Sequence, residues 1–331
     1  MTGDHRMQDQ RRKLLARIAY LYYIQDQTQS EIAKDLSIHR SSVSRMLKQA
    51  KEEGVVKFEI ENYDPEIFEL ELYLKEKFDL KEVLLCSPPL HASNEEKDDA
   101  LANAVASFLK RIIKKNDIVG VSWGSTLRKI TGRFGNPKMA EATFVPLVGG
   151  PSHVNSAYHV NTIVYDFARH FNGQSVFINA AAVQETKELR DGIMNSKYFR
   201  QIHEYWAQLD IALVGIGGPL SSRTAVWRDL LTEEDLEDLK LREAIGDCCC
   251  QFFDRDGKIL KGDLYNRTIS VSLEKLQDTP YAIAMARGKQ KTRSILAMLK
   301  KKYINVLISD YETAIEILRA AKDPVWKNYL Q

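Results

Sequence analysis

The chain has 331 residues, 28% of them charged, with 47 Lys/Arg against 45 Asp/Glu for a formal net charge of +2. At roughly 100–200 residues per domain this length predicts two folded units with ample core. No window approaches the ~20 apolar residues of a membrane span and the N-terminus lacks a charged-then-apolar signal pattern, so no membrane partner and a cytoplasmic location are expected. The four cysteines, Cys86 and the run Cys248, Cys249, Cys250, have neither zinc-ligand nor C-x-x-C spacing, and the seven histidines form no H-x-x-x-H pair. No metal and no cofactor is expected, and the cysteine run reads as a reduced core strand.

Along the chain, Leu14, Leu15, Ile18, Ala19 and Tyr22 supply the apolar stripe of a first helix. Thr28 and Glu31 then have the T-x-x-E spacing of a capping box, which starts a helix near Gln29. Ile32, Ala33 and Leu36 share its inner face, Ser37-Ile38 form a short turn, and Val43, Met46 and Leu47 give a following helix its i, i+3, i+4 stripe. This is the pattern of a helix-turn-helix. The opposite face of the last helix carries Arg40, Ser41, Ser42, Ser44, Arg45 and Lys48, hydroxyls and cations suited to phosphates and base edges in a major groove. Together with Gln29, Ser30 and His39 at the starts of the two helices, these are the candidate contacts to operator DNA. Residues 1–51 hold ten Lys/Arg against five Asp/Glu, a net of +5, so the other 280 residues carry 37 minus 40, or −3. The positive charge is concentrated where DNA would lie.

Gly54 closes that helix, VVKFEI (55–60) alternates like a short strand or wing, and 61–65 reads as a linker. Residues 66–78 form a helical pattern suited to a connecting or dimerising helix. Beyond it, short apolar runs alternate with amphipathic stretches. Strands are expected at 83–87, 117–124, 142–150, 175–181, 210–218, 248–253, 281–288 and 305–310. Helices are expected at 95–115, 125–134, 159–171, 188–207, 232–245, 289–303 and 312–321. Continuous apolar strands alternating with helices define a doubly wound, mostly parallel α/β domain, in which ligands bind at the C-terminal ends of strands.

Four such strand ends carry glycine: Trp123-Gly124-Ser125-Thr126, Gly149-Gly150, Gly215-Ile216-Gly217-Gly218 and Gly288-Lys289. Gly124 permits close approach of the backbone, and Ser125 and Thr126 put hydroxyls and amides at a helix start, where an anion such as phosphate is favoured. Lys289 could bring its ammonium to the same anion. Each loop alone is equally a cap or a tight turn. GVSWGST lacks the G-K-[ST] ending of a P-loop, and VGIGGPL places Leu220 where a dinucleotide fingerprint needs a small residue.

The helix-turn-helix followed in order by DIVGVSWGSTL, FVPLVGG, LDIALVGIGG, GDCCCQFFDRDG, NRTISVSLEKL, MARGKQK and NVLISD resembles, over essentially the whole chain, the SorC family of bacterial sugar-responsive transcription regulators. The resemblance implies a DNA-binding domain at 1–60, a linker and connecting helix at 61–80, and at 81–331 an effector-binding and oligomerisation domain similar to sugar-phosphate isomerases and deaminases. It also implies a phosphorylated sugar effector, dimers or tetramers of the chain, and control of carbohydrate operons. Carried onto this sequence, Gly124, Ser125, Thr126 and Lys289 would hold the phosphate, and Gly149, Gly150, Asn161, Gln184, Gly217, Asp247 and Arg267 the sugar end. Two positions depart from the family pattern. His39 stands where a serine cap is frequent, and FVPLVGG has Val148 and no lysine, so binding without a Schiff base is expected from that strand. The rival reading is an isomerase or deaminase with a DNA-binding head, with Asp247, Asp263 and His153 as candidate bases.

Overall fold

The computed structural model describes residues 3–57, 64–89, 91–151, 159–221 and 230–329. The chain divides into two compact units, Met1–Tyr63 and Asp64–Gln331.

The first unit contains three helices, α1 (Gly3–Tyr23), α2 (Gln29–Asp35) and α3 (Arg40–Glu52). The capping box forms: the Glu31 amide donates to the Thr28 hydroxyl at 3.3 Å, and the Thr28 amide donates to the Glu31 carboxylate at 2.7 Å. The turn to α3 uses the left-handed φ of Ser37 (+52°) and closes with the Ile38 amide on the Ala33 carbonyl at 2.9 Å. Leu15, Ile18, Ala19, Ile32, Ala33, Val43, Leu47 and Ala50 make one buried core. The expected strand after Gly54 does not start at Val55. Gly54 is left-handed (φ +67°) and the Val56 amide returns to the Ala50 carbonyl at 3.0 Å, so Val55 and Val56 fold back onto the head core. Residues 58–60 of that expectation, and 61–63 of the linker, lie outside the described residues.

The second unit runs, in order, α4 (Pro65–Lys77), β1 (Glu82–Cys86), α5 (Asn94–Ile112), β2 (Ile118–Val121), α6 (Ser125–Thr131), β3 (Thr143–Pro146), α7 (Val160–His170) and β4 (Gln174–Ser175). It continues with α8 (Lys187–Met194), α9 (Lys197–Ala207), β5 (Ile211–Gly215), α10 (Glu233–Leu241), β6 (Gly246–Cys248), β7 (Gln251–Phe253) and α11 (Asp263–Arg267). It ends with α12 (Leu273–Gln277), β8 (Tyr281–Met285), α13 (Thr292–Lys300), β9 (Val306–Asp310) and α14 (Tyr311–Ala320). Among the described residues seven strands form one parallel sheet in the order β1-β9-β8-β5-β2-β3-β4, and β6 and β7 form a separate antiparallel hairpin.

Strand periodicity sorts the core into two layers. On β5, Ile211 and Leu213 join one cluster with α5, α6 and α7, while Ala212 and Val214 join the other with α9, α13 and α14. On β8, Ile283 and Met285 fall in the first cluster and Ala282 and Ala284 in the second. This is the two-residue period of a sheet covered on both faces. α4 belongs to this body and is more than a connector. Its Leu70 and Leu74 are fully buried in the second layer, and each such burial stabilises by about 1.5–3 kcal/mol.

Several elements differ from the sequence expectation, and α11 and α12 form where it places no helix. The run 248–253 is a hairpin, with the chain reversing at Cys249 and Cys250. The stretch 188–207 is two helices, because the Ser196 hydroxyl accepts from the Phe199 amide and caps a new start. Of 175–181, only Ser175 lies in a strand, and Ala181 returns to the sheet edge as an isolated bridge to Gly150.

Candidate functional site

The chain order reverses between β2 and β5: β3 and β4 follow on one side of β2, and β8, β9 and β1 lie beyond β5 on the other. That switch point is where an open parallel sheet leaves a crevice at its strand ends. A cavity of about 150 Å³ occupies it. Its lining comes from Ser122–Leu127 after β2, Val148 after β3, Gly215–Gly218 after β5, Asp247, Cys249 and Cys250 of the hairpin, Met285 at the end of β8, and Lys291.

Gly124, Ser125, Thr126, Gly217 and Asp247 thus come together as expected from their loops. Gly124 has φ +144° as the residue preceding α6, a conformation that favours glycine. At Gly217 the need is steric, since a Cβ there would sit 1.8 Å from the Asp247 carboxylate oxygen. The Gly217 amide also donates to the Asp247 carbonyl at 2.8 Å, which ties the β5 loop to the hairpin. Asp247 is 6% exposed.

Lys289 is a correction. It is exposed and absent from the lining, whereas Lys291, two residues on, is half-buried and lines the cavity. Residues 289–291 form a 3-10 turn, in which two steps rotate a side chain by about 240° and so to another face. Burial lowers the pKa of Lys291, an effect opposed by the nearby carboxylates Asp247 and Asp98.

Gln184 and Arg267 are not at this cavity either. Arg267 is buried and bonded through all three of its nitrogens: its guanidinium donates to Asp235 at 2.5 Å, to Asp263 at 2.6 Å and to the Gln184 carbonyl at 3.0 Å. It braces α10 and α11 against the loop after β4, and Asp263, a candidate base, is held there with it. Gly149, Gly150 and Asn161 do not line this cavity either. The Trp123 indole donates to the Gly149 carbonyl at 2.9 Å. The Asn161 side chain brackets the Ile178 backbone with bonds of 3.2 and 3.1 Å, and a Cβ on Gly150 would meet His159 at 2.3 Å. His153 lies outside the described residues. Sequence reasoning missed Lys291 and the inward face of the cysteine turn. MARGKQK showed both lysines but gave no sign of the 3-10 turn that chooses between them.

On the head, α3 turns about 100° per residue, so Arg40, Ser44, Lys48, Ser41 and Arg45 fall within an arc of about 140°. All five are exposed, as are Ser30 and His39. Val43, Leu47 and Ala50 occupy about 60° on the far side and are buried. Ser42 lies outside the polar arc and is half-buried, as is Gln29. His39 precedes α3 without a side-chain cap bond, and the Ser42 amide donates instead to the His39 carbonyl at 2.9 Å.

The comparisons with known proteins agree with this architecture. A sugar-binding domain family model (Sugar-bind) matches residues 65–319. The sorbitol operon regulator of Klebsiella pneumoniae is 37% identical over 310 residues, 93% of this chain and 98% of that protein. The deoxyribonucleoside regulator of Bacillus subtilis is 32% identical over the same shares. The crystal structure of the full-length Klebsiella regulator SorC superposes with a TM-score of 0.74 at 36% identity, covering 92% of this chain and 98% of that one. A transcriptional regulator from Streptococcus pneumoniae TIGR4 gives 0.75 at 38%, covering 79% and 100%. A helix-turn-helix head on a sugar-binding α/β unit defines a sugar-responsive transcriptional regulator. The chain belongs to the SorC family of these regulators.

Proposed function

We propose that this regulator controls a carbohydrate-utilisation operon from the cytoplasm and that its effector is a phosphorylated sugar held at the β2/β5 switch point. The observation that carries the reading is the convergence of Ser125, Thr126, Lys291 and Asp247 on one cavity. The ammonium, the two hydroxyls and the amides beside them suit a phosphate, and the buried Asp247 carboxylate suits sugar hydroxyls. The end of β3 contributes Val148 and no lysine to the cavity, so the proposal includes no Schiff base from that strand. Catalysis is not part of the proposal. Asp263 is bonded to Arg267 and does not line the cavity.

The α3 arc reads operator DNA, and the chain acts as a homo-oligomer, dimer or tetramer, that presents paired heads. The effector binds one arrangement of the oligomer better than another and shifts its population. A coupling of about 1–3 kcal/mol is typical and changes DNA affinity from several-fold to about a hundredfold. The test is thermal stability of the purified protein against a panel of sugar phosphates and their unphosphorylated parents, since a ligand of the folded state raises Tm. A shift with a phosphorylated sugar and none with its parent supports the reading. A shift with free sugars or polyols alone overturns the phosphate role.

A further inference from the structure

Cys248 pairs with Gln251 across the β6–β7 hairpin, so the loop between them is two residues long, Cys249 and Cys250. Both have left-handed φ, +52° and +58°. A two-residue hairpin loop with both central φ positive strongly prefers Asn-Gly, because in that region a Cβ crowds the following carbonyl. Cysteine has neither the freedom of glycine nor the local hydrogen bond of asparagine. Both residues are nonetheless buried, 6% and 3% exposed, and both line the cavity that holds Ser125, Thr126 and Lys291.

The Cys250 side chain is a neutral thiol. Burial, with the nearby Asp247 charge, pushes the Cys250 thiol well above its ordinary pKa, and a hydrogen bond with Cys249, together with burial, does the same to Cys248. A thiol held protonated is a small apolar group and neither a nucleophile nor a metal ligand. Cys248 is buried away from the cavity lining and acts as core. Strain kept at a ligand cavity, where an unstrained pair of residues exists for the same turn, points to a use for the side chains themselves.

We infer that the Cys249-Cys250 turn is the specificity-determining wall of the effector cavity, two small buried side chains held in left-handed backbone that limit the size and polarity of the sugar end admitted. The inference rests on the phosphorylated-sugar reading of the same site. It is tested on the full chain with dihydroxyacetone phosphate, ribose 5-phosphate, glucose 6-phosphate and sedoheptulose 7-phosphate as probes, read by thermal shift and titration. The variants are Cys249→Ala, Cys250→Ala, Cys250→Gly and Lys291→Ala. Trimming Cys250 is expected to move the preference toward a longer or more hydroxylated probe by at least about fivefold, the scale on which pockets discriminate a small group. Cys250→Gly is expected to melt above Cys250→Ala, because only glycine relieves the left-handed strain. Lys291→Ala is expected to lose the response to every probe.

A responsive wild type whose ranking stays within about twofold in all three cysteine variants overturns the wall. An alanine variant as stable as the glycine variant overturns the strain. A wild type that answers none of the probes, or a Lys291→Ala protein that keeps its response, contradicts the effector reading itself and is told apart from the other failures by the ligand-free melting order.

Discussion

On α3 the side chains assigned to DNA project from an exposed arc and touch little of the protein, whereas those around the effector cavity are wedged against one another. Arg45 has solvent on its outer side. Asp247 lies against Gly217, Gly217 is bonded back to the Asp247 backbone, and Lys291 is half-buried near Asp247 and Gly218. The difference teaches where function and stability separate. Substitutions on the head arc should change a partner's affinity and leave folding alone, while substitutions around the cavity should disturb both.

The largest expected effect comes from Arg267→Ala, which lies outside the cavity in the same unit and so separates stability from binding there. Its side chain and that of Asp235 are 10% and 6% exposed, and removing one partner of a buried ion pair costs about 3–5 kcal/mol. Urea unfolding checks this, and a loss below about 1 kcal/mol would mean that the brace is dispensable. Gly217→Ala comes next. The new methyl must displace the Asp247 carboxylate, so we expect about 1–3 kcal/mol of destabilisation together with a lost effector response, seen in melting curves with and without ligand.

Lys291→Ala should weaken effector binding about 10- to 100-fold, the value of a hydrogen bond to a charged group, while Lys289→Ala leaves it unchanged within about twofold. Calorimetric titration separates the two, and equal losses would return Lys289 to the site. On the head, Arg45→Ala should weaken operator binding, reduce the salt slope by about one and change stability by no more than about 0.5 kcal/mol. Anisotropy at several salt concentrations reads the first two effects.

The last lever acts only in acid and is confined to the large unit. Burial raises the Asp323 carboxyl, but bonds from Lys77, Tyr73 and the Val325 amide outweigh it and bring its pKa to about 2. A depressed folded pKa stabilises above the unfolded value of about 3.9 and loses that contribution as pH falls toward 2. Asp323→Asn should therefore flatten stability against pH between about 4 and 2, measured by unfolding at each pH.

The head was legible because its signals are local. A capping box, a turn and a stripe lie within two dozen residues, and each forms where its spacing placed it. The strand ends were legible for a similar reason, since apolar runs ending in glycine mark the switch-point loops. What escaped depended on chain reversals with no sequence mark. CCCQFF carries no Gly or Asn at the hairpin turn and reads as one strand until Cys249 and Cys250 turn left-handed. Lys289 and Lys291 are equivalent in sequence until a 3-10 turn separates their faces. Gln184 and Arg267 have the polarity of ligand contacts, and only the tertiary structure shows that the Gln184 amide closes on the Ala181 carbonyl and the Arg267 guanidinium on α10 and α11.

The most direct test of the account is operator affinity measured with and without the sugar phosphate that raises Tm, on the wild type and on Lys291→Ala. The account predicts a change from several-fold to about a hundredfold in the wild type and none in the variant, whose operator affinity without ligand stays normal. A sugar phosphate that binds yet leaves operator affinity unchanged, or one that still shifts it after Lys291 is removed, would contradict the proposed link between the cavity and the head.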